Sequence, residues 1–589
     1  MNKEISTNES IESKNSKIVE INDYFKIPIY YNNEKVEIKK NIVNDLELVN
    51  TLDESSNPIY TYLFNNNNDI SKKVVEQISK YYTTDIKFLK DTQNFLKTYK
   101  TPNTKYTDYS SNYKNILNIW NEIKIDSSFK EKYYYVDWEI IEFLNRSELF
   151  LQFVSIYNLF SPILSLFIPI IILIVPFFII RAKGLTLSID EYIDVLKSVA
   201  QQNALGKLFT TNFSEIHTQD KLYIIISAAF YLFSIYQNIM VCVRFHNNMK
   251  TIHNHFNELK IYLSKTLNSM ENYLMYTKDL SSYTDFNENL REKINVLKNI
   301  VNKISYITEY NLFNINKIKE IGYILKYFYE LHTDKAIDSS IMYSIGFNGY
   351  IDCLEGLITN INEEKVNFAR FVSKNKKTVI KNNYYACLKN ENPIKNNIKF
   401  NKNIIITGPN ASGKTTILKS SLINIIFTQQ FGCGFYDSAT FTPFKYIHCY
   451  LNIPDTSGRD SLFQAEARRC KEILDHIYEN KRDRHFCAFD ELYSGTNPQE
   501  AEVSSTAFIN YITKYKNINF MLTTHFIDVC KKLIKNQNIL NCHMSTEKQE
   551  NKIIFKYKLK EGISEVKGGI NVLYDMNYPR EIIDEALTK

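Results

Sequence analysis

No Cys-x-x-Cys pair occurs in this 589-residue chain, and its nine cysteines all follow residue 241. An odd count without metal-ligand spacing indicates reduced thiols that face the cytosol. The N-terminal segment MNKEISTNESIESKNSK has no apolar core, which excludes a secretory signal peptide, and we expect residues 1–20 to form a disordered tail. The net charge is also low, +6 from 71 basic and 65 acidic residues, so charge alone gives no footprint of nucleic-acid binding.

Two long stretches lack charged residues altogether. Residues 149–180 and 222–243 contain no Asp, Glu, Lys or Arg, and each is longer than the roughly 20 apolar residues that cross a bilayer. We interpret residues 149–243 as a membrane hairpin with these two spans. The open alternative is a pair of buried core helices, although core helices of that length nearly always show a polar stripe.

The regions around the hairpin are expected to be helical, residues 21–148 mostly so and residues 244–384 as a helical core or lever domain. Two segments of the second region carry apolar residues at steps of three and four, which is typical of amphipathic helices. The spacing predicts an antiparallel, coiled-coil-like pair, with Asp285 and Glu288 at capping-box spacing in the connecting loop. The apolar residues are Phe256, Leu259, Leu263, Leu267, Met270 and Leu274 in the first segment, and Leu290, Ile294, Leu297, Val301 and Ile304 in the second.

The C-terminal third begins with a glycine-framed turn between an apolar run and a helix-forming run. Residues 404–420 read IIITGPNASGKTTILKS and fit GxxxxGK[ST] at 408–415, in the strand–loop–helix context that the motif requires. Backbone N–H groups of such a loop and the helix N-terminus favour phosphate, while Lys414 reaches the β- and γ-phosphates and the Thr415 hydroxyl is a ligand of Mg²⁺. The predicted nucleotide-binding residues are Gly408, Pro409, Asn410, Ala411, Ser412, Gly413, Lys414, Thr415 and Thr416.

Two adjacent carboxylates follow a second apolar strand. The segment HFCAFDELYSGT at 485–496 contains Asp490, predicted to hold Mg²⁺, and Glu491, predicted to act as the general base on the attacking water. A further strand, FMLTTHF, ends near His525. We expect His525 to sense the γ-phosphate, although a histidine by itself is more often a structural hydrogen-bonding group.

These elements together resemble the ATPase domain of the MutS family, relatives of the ABC-type ATPases, over roughly residues 385–589. The resemblance implies ATP and Mg²⁺ as ligands and a homodimer formed through the ATPase domain. It also implies that Ser461 meets the nucleotide of the opposite subunit; the alternative is that Ser461 only caps a helix. The segments that carry the resemblance are ITGPNASGKTT, DELYSGTNPQEA, TTHF, SGRDSLFQAEARRCKEIL with Ser461, Phe463 and Glu466, and YKLKEGISEVKGGINVLYDMNYPREIIDEA at 557–586.

The chain also departs from a mismatch-repair member of that family. The mismatch-reading domain, with its Phe-x-Glu wedge, is not recognisable. Phe-x-Glu occurs several times, as expected by chance in a chain with 37 Phe, and the triplets at Phe129, Phe256 and Phe328 lie in helical contexts. The family inserts a DNA clamp within its lever helices, where this chain carries the uncharged hairpin instead. DNA is therefore a candidate partner that the sequence does not establish.

The sequence thus predicts an α/β P-loop ATPase domain at 385–589, preceded by a mainly α-helical lever region with a transmembrane helical hairpin. We expect an integral, two-pass membrane ATPase in which ATP-driven dimer closure moves the levers. An even number of spans returns the chain to its starting side, so the N-terminal region and the ATPase domain should both lie in the cytosol. The alternatives are a soluble mismatch-recognition MutS homologue and an ABC-type transporter, which the small number of spans argues against.

Overall fold

The structure is a computed structural model that describes residues 21–53, 55–65, 68–101, 109–184, 188–202, 218–307, 315–372, 378–451, 453, 461–549, 552–564, 566, 576 and 578–588. The expected disordered tail at 1–20 lies outside these residues. By contacts the chain divides into one compact unit of Met1–Lys105, Asn268–Asn295 and Ser340–Lys589, and a second of Tyr106–Leu267 and Val296–Ser339. The domain limits drawn from the sequence stay a prediction.

Helices dominate up to residue 362, and an α/β part with mixed sheets follows, which confirms the coarse fold class. Short 3₁₀ segments occur at Pro28–Tyr31, Glu139–Arg146, Ser281–Tyr283 and Ala386–Leu388. The described α-helices are α1 Ile21–Tyr24, α2 Lys40–Asp45, α3 Ile59–Phe64, α4 Asp69–Ile78, α5 Ile86–Thr98, α6 Tyr109–Lys124, α7 Phe129–Lys132, α8 Glu148–Ala182, α9 Ile189–Gln202, α10 Thr218–Thr277, α11 Thr284–Ser305, α12 Ile315–Thr333, α13 Lys335–Asn362, α14 Lys414–Phe431, α15 Leu462–Glu479, α16 Pro498–Ile512, α17 Ile527–Leu533 and α18 Arg580–Thr588.

Three sheets are described. A six-stranded sheet has the order β13-β12-β6-β11-β10-β9, a five-stranded sheet has the order β5-β4-β8-β3-β7, and β1 pairs with β2. The strands are β1 Lys35–Glu37, β2 Tyr81–Thr83, β3 Asn367–Phe371, β4 Val379–Asn383, β5 Asn396–Lys399, β6 Asn403–Thr407, β7 Cys433–Gly434, β8 Ser438–Phe441, β9 Tyr446–Tyr450, β10 His485–Asp490, β11 Ile518–Thr523, β12 Ile539–Gln549 and β13 Lys552–Glu561.

The six-stranded sheet is parallel from β9 to β12, and only β13 runs antiparallel to its neighbour. Strands β6, β10 and β11 are almost continuously buried, as expected for a parallel sheet covered on both faces. Each large apolar side chain buried here contributes about 1.5–3 kcal/mol to stability. The register pairs Asp490 with Thr523, and Thr523 with Ile406, so the carboxyl ends of these three strands meet at one edge.

The N-terminal helices of the first unit attach to α14 through glutamine side chains. Gln430 donates to the carbonyl oxygens of Ile78 and Tyr81, each at 2.9 Å, and accepts from the Tyr60 hydroxyl at 2.9 Å. Gln93 on α5 donates to the Gly432 carbonyl, just past the end of α14, at 2.6 Å. Because these amides are buried with their partners, losing one partner would cost about 1–3 kcal/mol.

The uncharged stretches lie in α8 and α10. Helix α8 extends one residue before and two residues beyond the predicted first span, whereas α10 contains the second span and continues without a break to Thr277. The Tyr231 hydroxyl donates to the Ser165 carbonyl at 3.2 Å, and Cys242 Sγ lies 3.6 Å from the Leu159 carbonyl oxygen. Because the later residue on α10 contacts the earlier one on α8, the two helices run antiparallel.

The predicted amphipathic pair occupies the end of α10 and the whole of α11. Thr277 Oγ1 donates to Asn287 Oδ1, and the Asn287 amide returns a bond to the Thr277 carbonyl, both at 2.9 Å. These bonds tie the end of one helix to the start of the next. Because α11 begins at Thr284, Asp285 lies inside its first turn, so the expected capping-box position of Asp285 is wrong.

The three Phe-x-Glu triplets named above, at Phe129, Phe256 and Phe328, belong to a helical core within the second unit. Phe129, Phe256 and Phe328 are all buried. The ring of Phe328 lies 5.3 Å from that of Phe129 and 5.8 Å from that of Phe256, measured between centroids. Such contacts are those of ordinary aromatic packing, so none of these phenylalanines is presented as a wedge.

Candidate active site

The loop at 408–413 connects β6 to α14 and is held in an unusual backbone conformation. Gly413 has a φ of +91°, in the left-handed region that favours glycine. A Cβ at Gly413 would also approach the Tyr557 ring to 3.1 Å. Ala411 adopts a φ of +60° as well, which costs about 1–2 kcal/mol for a residue with a Cβ. The backbone of this loop is therefore strained at Ala411, while glycine at position 413 avoids such strain.

Lys414 begins α14, and its side chain turns back over the loop. Its ammonium group donates to the carbonyl oxygens of Gly408 and Pro409 at 3.0 and 3.1 Å. Burial lowers the pKa of Lys414, while the nearby carboxylates of Glu491 and Asp490 act in the opposite direction. The cation is thus placed at the centre of the loop, without a direct ion pair to either carboxylate among the described contacts.

The two predicted metal ligands lie side by side. Thr415 Oγ1 donates to the Asp490 carboxylate at 3.2 and 3.0 Å, and Thr523 Oγ1 donates to the same carboxylate. Burial raises the pKa of Asp490, which the two hydroxyl bonds partly offset. Hydroxyl and carboxylate oxygens are hard donors of the kind that Mg²⁺ prefers.

Glu491 and His525 form a second pair at the same edge. His525 Nε2 lies 2.7 Å from Glu491 Oε1 and 3.2 Å from Lys414 Nζ. The shorter contact assigns the Nε2 proton to the bond with Glu491, and this bond lowers the pKa of the Glu491 carboxyl. Glu491 also has a φ of +52°, a conformation typical of residues whose position matters for a site.

A cavity of about 510 Å³ opens beside the loop. The loop residues Asn410, Ala411 and Gly413 line it, together with Lys414, Thr415, Thr416 and Glu491. Further lining residues were not among the site residues predicted from the sequence; they include Tyr384, Tyr385, Leu388, Pro393, Met544 and Tyr557. The signal that could have found Tyr384, Tyr385 and Leu388 is the segment NNYYACL at 382–388, which precedes the strands that lead to the loop.

Ser461 serves as the N-cap of α15. Its hydroxyl accepts from the Gln464 backbone N–H at 3.3 Å, and the Gln464 side chain accepts from the Ser461 backbone N–H at 2.9 Å. This capping box is one of the two roles that the sequence analysis considered for Ser461. The other is a contact with the nucleotide across a dimer. Residues 454–460, which precede Ser461, lie outside the described residues. The role of Ser461 toward a second subunit stays a prediction.

Glu466 links α15 to the loop that follows the carboxylates. Its two carboxylate oxygens accept from the Ser494 hydroxyl at 2.9 Å and from the Gly495 N–H at 3.1 Å. Gly495 approaches α15 so closely that a Cβ there would meet Leu462 at 2.7 Å. The first turns of α15 are therefore fixed to the segment that begins with Asp490 and Glu491.

Comparison with known proteins identifies this region. Residues 404–589 match the family model of MutS domain V. Residues 404–589 are a domain of the MutS family. The chain is similar to the DNA mismatch repair protein MutS of Oceanobacillus iheyensis, with 25% identity over 315 residues that cover 51% of this chain and 33% of that protein.

Other MutS relatives match a smaller part. The mouse MutS protein homolog 4 is 28% identical over 207 residues, which cover 33% of this chain and 21% of that protein. The Bacillus licheniformis DNA mismatch repair protein MutS is 29% identical over 189 residues, 31% of this chain and 21% of that protein. The chain thus spans about a third or less of these relatives, and what they share with it is centred on the MutS domain.

Proposed function

We propose that the chain is a MutS-type ATPase that binds ATP with Mg²⁺ and hydrolyses it. The observation that carries the proposal is the convergence of Lys414, Thr415, Asp490, Glu491 and His525 at the edge where β6, β10 and β11 end. Open α/β sheets bind ligands at this edge, and the five side chains supply each role that phosphoryl transfer needs: cation, metal ligands, base and orienting group.

The residues present fit a nucleotide and its metal. The Ser412 hydroxyl is buried inside the loop and, within the part of the chain that the structure describes, has no hydrogen-bond partner. Lys414 is held by carbonyl oxygens, which are weak partners compared with a phosphate. Thr415 and Asp490 would hold Mg²⁺, and the bound ion would neutralise negative charge on the phosphate oxygens.

Glu491 and His525 have different roles toward the attacking water: Glu491 accepts its proton, and His525 positions Glu491. Since hydrogen bonding to His525 lowers the pKa of Glu491, the carboxylate is ionised at neutral pH and can accept a proton from water. His525 holds the carboxylate oxygen in place through its Nε2–H. The aromatic and apolar wall with Tyr384, Tyr385 and Leu388 is suited to the flat face of a nucleobase.

We further propose that two copies of the chain close two composite sites, with Ser461 of one copy meeting the nucleotide of the other. Support comes from the position of Ser461 at the start of α15. Glu466 on that helix is bonded to the segment after Glu491, so a displacement at Ser461 would be carried to the catalytic carboxylate.

Membrane anchoring through α8 and α10 is part of this proposal. Two described helices are long and apolar enough to cross a membrane, by length and composition. Their large apolar side chains are exposed rather than buried: Phe153 is 72% exposed, Phe178 64% and Phe230 70%. Large apolar side chains exposed in such number are rare on monomeric soluble proteins and mark interaction or membrane surfaces. The reading as buried core helices is therefore less favoured, and both chain regions flanking the hairpin would lie on the cytosolic side.

The continuous α10 offers a route from the ATPase to the hairpin. Its 60 residues form a rod of about 90 Å that contains the apolar stretch and ends in the amphipathic segment. We propose that dimer closure on ATP acts on the hairpin through this lever.

A role in DNA mismatch repair is the second candidate. The observation in its favour is that the Oceanobacillus iheyensis protein named for that process matches 51% of the chain, more than the MutS domain alone. Binding to DNA duplexes with and without a mismatch tests this candidate separately from ATP hydrolysis.

The test of the proposed function is ATP binding and hydrolysis by the purified full chain in detergent. Lys414→Ala should weaken ATP binding about 10–150-fold, the loss expected for a hydrogen bond to a charged group. Lys402→Ala, which removes an exposed lysine close in sequence to the loop, should bind as the wild type. Wild-type protein without ATP binding, or equal binding by Lys414→Ala, would refute the proposal.

A further inference from the structure

Three histidines converge at a place well away from the candidate active site. His448 lies on β9, His476 on the last turns of α15 and His485 at the start of β10. One ring nitrogen from each lies within 4.8 Å of one ring nitrogen from the others. His485 and Asp490 are the first and last residues of β10, so the histidines are about 16 Å from the carboxylates along the strand.

Hydrogen bonds determine which nitrogens carry lone pairs. His485 Nε2 lies 3.0 Å from the Asn480 carbonyl oxygen, which can only accept, so this nitrogen carries the proton. His485 Nδ1 therefore presents its lone pair, and it lies 3.0 Å from His448 Nε2. A ring N–H that donates to a backbone carbonyl while the other nitrogen faces its neighbours is the arrangement that orients metal-bound histidines.

Two of the imidazoles are buried, and all three are in surroundings that favour the uncharged ring. His448 is 2% exposed and His485 is fully buried, and burial lowers the pKa of all three histidines. Within the described part of the chain, Nδ1 of His476 is a buried nitrogen without a hydrogen-bond partner. Neutral imidazole is the form that ligates a metal.

The surroundings admit a cation. Lys39 is close enough to lower the pKa of His448 and His476, but the carboxylates of Glu479 and Asp483 raise those of His476 and His485 respectively. Near the three histidines there are therefore two acidic groups and one basic group, so the net charge of these neighbours is negative. His476 is only partly buried, which leaves a path by which an ion can enter from solvent.

We propose that His448, His476 and His485 bind one divalent transition-metal ion of the zinc class. Imidazole ligands suit zinc, and three protein ligands leave a fourth position for water. The ring proton of His448 would shift from Nε2 to Nδ1, so that each histidine gives one lone pair. The ion would fasten the end of α15 to β10. Ser461 is the N-cap at the other end of α15, and Asp490 is the last residue of β10.

Zinc binding by the full chain tests this proposal. Chelator-treated protein is dialysed against Zn²⁺ with excess Mg²⁺, which occupies carboxylate sites, and zinc per chain is measured by elemental analysis. Wild type and His332→Gln, a matched partly buried helical histidine in the other unit, should hold about one ion more than His476→Gln. The affinity of His476→Gln for that ion should be at least about tenfold weaker. Equal zinc in all three proteins would overturn the proposal.

A second measurement needs no variant and so does not depend on whether His476→Gln folds. Co²⁺ is added to wild-type protein, and its ligand-field absorption is recorded before and after Zn²⁺ competes. Absorption of a tetrahedral, nitrogen-ligated Co²⁺ that zinc removes is expected. Co²⁺ that shows only the spectrum of the aqueous ion would overturn the site.

Discussion

The imidazole of His525 lies 2.7 Å from the Glu491 carboxylate through the same nitrogen that approaches Lys414. One ring nitrogen thus stands between the proposed base and the cation of the loop. Since this nitrogen can either donate to Glu491 or accept from Lys414, its bond to Glu491 depends on what the Lys414 ammonium group contacts. A phosphate that draws the ammonium group away would leave His525 Nε2 with Glu491 as its one partner, which favours the bond from His525 to Glu491.

His525→Gln should reduce turnover more than nucleotide binding. Losing a bond to a charged group lowers kcat about 10–150-fold. Because His525 lowers the pKa of Glu491, the variant's Glu491 pKa should rise, so activity should be lost at a higher pH as the solution is acidified. The pH profile of kcat measures this, with His543→Gln as the control histidine. An acidic limb that stays in place in His525→Gln would contradict the assignment.

The proposed role of Ser461 across a dimer can be separated from its capping role. Ser461→Asp keeps a good N-cap, so thermal stability should be unchanged, but a carboxylate near a phosphate should abolish turnover. Mixed with Lys414→Ala, it should form heterodimers with one intact site, and about a quarter of wild-type activity should return. Mixtures that stay inactive although subunits exchange would mean that Ser461 acts only within its own chain.

Phe230→Arg tests the membrane hairpin. Arginine near the centre of a span costs about 2.5–3.5 kcal/mol on insertion, so the variant should appear in the supernatant after alkaline carbonate extraction, whereas wild type stays in the pellet. Tyr478→Arg, at an exposed position of 61% on α15, should remain in the pellet. Release of wild-type protein by carbonate would refute the hairpin and favour the soluble alternative.

Glu355→Gln tests a half-buried carboxyl on α13. Burial and the neighbouring Asp352 raise the pKa of Glu355 to about 7. The folded state therefore binds more protons than the unfolded state between about pH 4.5 and 7, so wild-type stability falls as pH rises through this range. Glu355→Gln should lack that part of the fall. Its free energy of unfolding relative to wild type, measured by denaturant unfolding, should therefore be about 1–3 kcal/mol higher at pH 8 than at pH 5. Glu288→Gln is the exposed control, and parallel pH curves for Glu355→Gln and wild type would contradict the prediction.

The site residues predicted from sequence are those whose chemistry is local in the chain. Lys414, Thr415, Asp490 and His525 each follow a buried strand, and parallel strands bring their carboxyl ends together. The structure places Thr415 within hydrogen-bond distance of Asp490, and His525 within hydrogen-bond distance of Lys414. The pattern of glycines, apolar runs and carboxylates was therefore sufficient to predict that these side chains lie close together at one edge of the sheet.

Residues that depend on distant contacts could not be predicted in this way. The bonds of Gln430 to Ile78 and Tyr81 join positions about 350 residues apart, and the three histidines come from two strands and a helix. No periodic pattern of residues along the sequence indicates such long-range pairs. The uninterrupted α10 was also missed, because the sequence changes from uncharged to amphipathic near Val243 while the backbone stays helical.

The most direct test of the central claim is the fate of ATP on Glu491→Gln. The account predicts that wild type converts bound ATP to ADP, and that Glu491→Gln retains ATP with near wild-type affinity while hydrolysis falls at least about 100-fold. Rapid isolation of the protein followed by chromatography of the bound nucleotide measures both quantities in one sample. Glu491→Gln that yields ADP at the wild-type rate would contradict the account.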